Sequence, residues 1–150
     1  MTRFHTHRHF AAPPDAVFAA LADPTRLARW WGPAGFHNTF TECEVESGGM
    51  WRFTMHGPDG RHYANESVFE AVDAPDRVVI RHLNHPHLRL TITLTDHPSD
   101  GQPGTRVDWE QVFDSADVAA AVQAVVVPAN EQNLDRWQAE VATQMPTGRD

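Results

Sequence analysis

Between Asn130 and Met145 the chain places Leu134, Trp137 and Val141 at helical spacing, and Asn130 and Met145 extend the same stripe. The opposite face carries Asp135, Arg136 and Glu140. The run starts just after Pro128, a residue suited to a first helical turn. This pattern predicts an amphipathic helix of about four turns. One apolar stripe has to be buried against a second layer. Most of the remaining chain carries strand signals, so the second layer is a sheet.

Those signals follow in order. Arg3 to Phe10 alternates Phe4, Thr6, Arg8 and Phe10 against His5, His7 and His9, which is strand period. Ala12-Pro13-Pro14-Asp15 ends it, and Val17, Phe18 and Leu21 predict a short helix. Asp23 is a good cap and Pro24 a good first residue for a second short helix reaching Trp30-Trp31, stopped by Gly32-Pro33. Six further strands are expected at Thr39–Glu46, Met50–His56, His62–Ala71, Val78–Leu83, Leu88–Thr95 and Thr105–Phe113. Turn formers separate them, among them Ser47-Gly48-Gly49 and Gly57-Pro58-Asp59-Gly60. Ser115 to Val127 opens with an N-cap residue and reads as a short helix or loop. Short connections between successive strands imply an antiparallel meander. The fold class is therefore α+β, a curved antiparallel sheet gripping a long C-terminal helix.

With 150 residues the chain makes one domain, residues 1–150, that buries roughly 68–70% of its unfolded surface. All 12 basic residues are Arg, the net charge is −8, and no basic cluster occurs, which argues against a nucleic-acid partner. The single Cys43 has no internal disulfide partner and suits a reducing, cytoplasmic setting. No apolar run reaches the roughly 18 residues of a membrane span, so no membrane partner is expected.

The faces of the strands carry the functional argument. Trp51, Phe53 and Met55 oppose Arg52, Thr54 and His56. Leu88, Leu90, Ile92 and Leu94 oppose Arg89, Thr91, Thr93 and Thr95, and Val107, Trp109, Gln111 and Phe113 form a further inner set. The strand from His62 to Ala71 sets Tyr63, Asn65, Ser67 and Phe69 against Ala64, Glu66, Val68 and Glu70, so either face brings polar groups inward. Each buried, unpaired polar group costs roughly 1–3 kcal/mol. These groups are therefore paired with one another or with the contents of a cavity.

Several motifs together resemble the SRPBCC superfamily (START-like, polyketide-cyclase-like, helix-grip fold). More narrowly, they resemble bacterial proteins similar to the C-terminal domain of the activator of heat-shock protein 90 ATPase. They are Ala12-Pro13 through Val17-Phe18, Trp30-Trp31-Gly32-Pro33 with Gly35-Phe36, and Gly48-Gly49 before Trp51-Arg52-Phe53. Met55 through Gly60, Tyr63 with Asn65-Glu66, Pro75-Asp76-Arg77-Val78, Gly104-Thr105-Arg106 and Ala129 through Asn133 complete the series. Asp76 stands where the family often has Glu. The resemblance implies a sheet of about seven strands around the last helix, with two short helices after the first strand. Members of the superfamily share a cavity rather than one catalytic constellation, and include lipid binders, hormone binders, cyclases and chaperone-associated domains.

Three functions follow as expectations. The first is a binding module for a small, largely apolar or aromatic molecule, with Trp51, Phe53, Met55, Asn65, Glu66, His82, Trp109, Asn130, Leu134 and Trp137 as ligand-binding candidates. The second is a cyclase- or aromatase-like enzyme with Glu66 or His56 as acid–base group, since a carboxylate beside an imidazole can transfer protons. The third is a stress-response protein associated with a chaperone ATPase. No cofactor is implied. Alternate His5, His7 and His9, about 7 Å apart, can converge on zinc, but a solvated strand face explains them as well, and no metal is assigned. His82, His85 and His87 around Pro86 read as surface in the same way. Exposed strand edges leave room for a homodimer.

Overall fold

The computed structural model describes residues 2–144. Its elements are β1 (Arg3–Phe10), α1 (Pro14–Ala22), α2 (Pro24–Trp30), β2 (His37–Cys43), β3 (Met50–His56), β4 (His62–Asp73), β5 (Arg77–His82), β6 (Leu88–Asp96), β7 (Thr105–Phe113) and α3 (Ala116–Gln144). The strands form one antiparallel sheet of seven, ordered β1-β7-β6-β5-β4-β3-β2. The meander from β2 to β7 follows from the short turns, and β1 closes the far side by pairing Phe4 with Gln111 and Phe10 with Thr105. The β2–β3 turn depends on Gly49, where a Cβ would lie 1.9 Å from the Glu44 carbonyl oxygen.

Alternation along the strands builds the core. Trp51, Phe69, Ile92 and Trp109 are fully buried on the concave side, and Leu134, Trp137 and Val141 of α3 pack down on them. The Trp137 ring stacks on Trp30 of α2 at 4.7 Å and 5°. Its Nε1 donates to the Val17 carbonyl of α1 at 3.1 Å, while Trp30 Nε1 donates to the Ala20 carbonyl at 2.9 Å. Aromatic area and two satisfied N–H groups thus fasten both short helices to α3.

Two features of α3 differ from the sequence expectation. The helix begins at Ala116, not after Pro128, and Pro128 lies inside it. Proline removes one helical hydrogen bond and typically costs about 3 kcal/mol. Tertiary packing outweighs that cost. The first turns bring Ala119, Val118, Val122 and Val126 onto Phe4 and Phe113, and the Ser115 hydroxyl caps the start by accepting from Val118 N at 3.2 Å. Met145, expected to extend the stripe, lies outside the described residues.

The polar face of α3 is the second difference. Asp135 remains largely exposed, bonded at 2.7 Å to Arg8 of β1. Glu140 is buried, and its Oε2 accepts from Arg26 at 3.0 Å and from Arg29 at 3.2 Å. Arg136 donates to the carbonyls of Arg29, Trp31, Gly32 and Pro33 at 2.8 to 3.0 Å. The guanidinium therefore collects the negative end of α2, and its burial pushes its pKa down. Helical period alone assigned this face to solvent, whereas α2 packs across it.

Strand ends moved modestly. β2 runs His37–Cys43 instead of Thr39–Glu46. Asn38 Nδ2 donates to the Ala28 and Trp31 carbonyls and anchors the strand's start beside α2. β4 continues to Asp73, β5 spans Arg77–His82, and β6 reaches Asp96.

Candidate functional site

Where α3 presents Leu134, Trp137 and Val141 to the sheet, the intervening space is filled. One to two turns earlier it presents Val126, Ala129, Asn130 and Asn133, which are shorter, and a cavity of about 280 Å³ remains. The hollow thus comes from side-chain length along one helix. Its walls are aromatic at Trp31, Trp51, Phe53 and Trp109, and aliphatic at Met55, Ile80, Leu88 and Leu90. Asn65, Ser67, His82, Gln111, Asn130 and Asn133 supply the polar groups. A mostly apolar concavity with a few convergent polar side chains is the usual form of a small-molecule site.

The polar groups form two sets. On α3 and β7, Asn130 Nδ2 donates to Gln111 Oε1 at 2.8 Å, and Asn133 Nδ2 donates to the Trp30 carbonyl at 3.1 Å. On β4 and β5, Asn65 Nδ2 donates to the Tyr63 carbonyl at 2.9 Å, which turns Asn65 Oδ1 toward His82 Nε2 at 2.8 Å. His82 Nδ1 meets the Pro86 carbonyl oxygen at 2.7 Å. Ser67, the cross-strand partner of His82, is 2% exposed. Trp51 and Trp109 each bury an indole N–H without a partner among those residues.

Of the expected ligand-binding residues, Trp51, Phe53, Met55, Asn65, His82, Trp109 and Asn130 line this cavity together. Three do not. Leu134 and Trp137 are fully buried in the packed half of the interface, where Trp137 is committed to Trp30, Phe10 and the Val17 carbonyl. Glu66 points to the outer face, because strand neighbours alternate and Asn65 takes the inner one. There Arg52 bridges Glu66, at 2.7 Å, and Glu42.

His56 is likewise outside, opposite His62, with its Nδ1 at 2.7 Å from His62 Nδ1 and its Nε2 at 2.7 Å from the Thr39 hydroxyl. Loss of hydration, together with His37 and His62, lowers the His56 pKa. The sheet thus separates Asn65 from Glu66 and His56, and neither acid–base candidate reaches the cavity.

Trp31, Ser67, Gln111 and Asn133 are cavity residues that the sequence reading did not nominate. Gln111 was detectable, since it is the one polar member of the Val107, Trp109 and Phe113 face. His5 pairs with Asp108 at 3.0 Å, and His9 Nε2 lies 3.1 Å from the His97 carbonyl, both on the outer surface. Among the described residues no three His, Cys, Asp or Glu side chains are grouped to hold one metal ion. No described helix is long and apolar enough to cross a membrane.

A seven-stranded antiparallel sheet holding a long C-terminal helix over such a hollow defines the helix-grip class of the SRPBCC superfamily. Residues 11–142 match the model of the Activator of Hsp90 ATPase homolog 1-like protein family, and the chain belongs to that family. Solved structures agree in fold. A protein from Rhodobacter sphaeroides is 27% identical with a TM-score of 0.79, over 96% of this chain and 94% of its own. One from Arthrobacter aurescens is 23% identical with a TM-score of 0.81, over 95% and 87%. A protein of the same family from Silicibacter pomeroyi is 20% identical with a TM-score of 0.75, over 95% and 99%. No curated protein sequence matches the chain.

Proposed function

We propose that this protein is a binding module for a small apolar or aromatic molecule held between the sheet and α3. The observation that carries the reading is the cavity of about 280 Å³ with three tryptophans in its wall. Filling it would bury apolar surface at roughly 25 cal/mol per Å². Membership of a superfamily whose fold commonly binds hydrophobic ligands supports the same reading. Mass spectrometry under native and denaturing conditions tests it. A small molecule released on denaturation, or saturable quenching of tryptophan fluorescence by added aromatic compounds, is the expected result. Absence of both, across a panel spanning acids, amides and hydrocarbons, refutes it.

A second reading, association with a chaperone ATPase, rests on the family to which the chain belongs. It predicts an altered rate of ATP hydrolysis by the bacterial heat-shock protein 90 partner. An unchanged rate at saturating concentration rejects it. The acid–base enzyme reading loses its two nominated residues, because Glu66 and His56 are engaged on the opposite side of the sheet.

A further inference from the structure

His82 is the one ionisable residue among those lining the cavity. Its surroundings bear on its charge. Nδ1 faces the Pro86 carbonyl oxygen and Nε2 faces Asn65 Oδ1, with the Asn65 amide held in that orientation by the Tyr63 carbonyl. A neutral imidazole has one N–H donor and one bare acceptor nitrogen. It can satisfy only one of these oxygens, and the other then faces a lone pair. The imidazolium donates to both. Turning the Asn65 amide round would repair the neutral form only by placing its oxygen against the Tyr63 oxygen.

The other neighbours offer no compensating charge. Ser67 lies across from His82 on β4 and Leu88 on β6, while Asn130 and Gln111 approach from α3 and β7. Arg81 points to the other side of the sheet, where it pairs with Asp114. A cation at the edge of an apolar hollow has no counter-ion in the lining, and a low-dielectric wall strengthens its field. Ser67 adds a buried hydroxyl beside it, directly across the strand pair.

We infer that the cavity selects an aromatic or apolar molecule bearing one acidic group, a carboxylate or an ionised phenol, which accepts from the Ser67 hydroxyl and neutralises the His82 imidazolium. This rests on the binding-module reading and specifies its ligand class. The sign of the pH effect follows. Protonating an imidazole strengthens its attraction for an anion and leaves a neutral ligand unaffected, so acid and amide separate in their pH response.

Tryptophan fluorescence of the full chain, titrated with 2-naphthoate and with the nearly isosteric 2-naphthamide from pH 5.5 to 8, is the test. The naphthoate dissociation constant is expected to rise by about tenfold across that range while the naphthamide value stays constant. In His82→Gln, circular dichroism should be retained, naphthoate should bind about tenfold more weakly at pH 5.5, and its pH dependence should vanish. Ser67→Ala should weaken naphthoate selectively. Parallel pH responses of acid and amide, or an unaltered naphthoate profile in His82→Gln, would overturn the assignment while leaving the binding module intact. Binding of neither compound by a folded wild-type protein would refute both.

Discussion

Replacing Glu140 by Gln tests how α3 is fastened to α2. The Glu140 side chain is 9% exposed and the Arg26 side chain 15%, with 3.0 Å between Nε and Oε2. Removing one partner of a buried ion pair typically costs about 3–5 kcal/mol, because the remaining charge stays buried. Arg29 is 55% exposed, so its contact with Glu140 adds only about 0–1 kcal/mol. Glutamine keeps one acceptor oxygen for Arg26, which places the expected loss near the lower limit, about 3 kcal/mol. At about 2–4 °C per kcal/mol for a domain of this size, the melting temperature should drop by about 6–12 °C.

Thermal and urea unfolding, followed by circular dichroism, measure the effect. The double variant Arg26→Met with Glu140→Leu removes both charges and should recover most of the loss, since apolar replacements of a buried pair are often neutral. A Glu140→Gln protein within about 0.5 kcal/mol of wild type would refute the account of a buried, mutually dependent pair.

Two other outcomes are expected. Burial pushes the Cys43 thiol up to about 12 from an ordinary 9.0. It should therefore react slowly with a thiol reagent at pH 8 in the folded protein and rapidly in urea, and a fast reaction of the native protein contradicts this. Because the folded state holds that proton more tightly, the same group lowers stability as pH rises above 9.0. Gly49→Ala would push a Cβ into the Glu44 carbonyl, where backbone has to move. A loss of about 2 kcal/mol or more in urea unfolding is expected, and unchanged stability would show that the turn relaxes freely.

The contrast between legible and illegible features runs along physical lines. The strands Arg3–Phe10, Met50–His56, Leu88–Thr95 and Thr105–Phe113 were visible in period-two alternation, and the turns in Gly, Pro and Asp, because both are settled within a few residues. Asn65 and Glu66 show the limit of such reading. Both were nominated as ligand-binding residues, yet the pleat sends one into the cavity and the other to Arg52 outside. Glu140 shows another, since the helical stripe could not reveal that α2 would cross the polar side of α3. Pro128 misled in the same manner, because the packing of Val118 and Val122 on Phe4 and Phe113 sustains the helix through it.

What the chain alone determined, then, is the class of fold: one helical stripe, alternating strands and short turns leave few arrangements other than a meander closed over a helix. Only the tertiary structure decided where that interior is full and where it is hollow. The division depends on which α3 side chain meets which strand. Leu134 and Trp137 fill the space against the sheet, while Ala129 leaves it open and Asn130 bridges only to Gln111, so His82 faces a hollow. Volume matched across residues about fifty positions apart has no local signature, and here it sets the site.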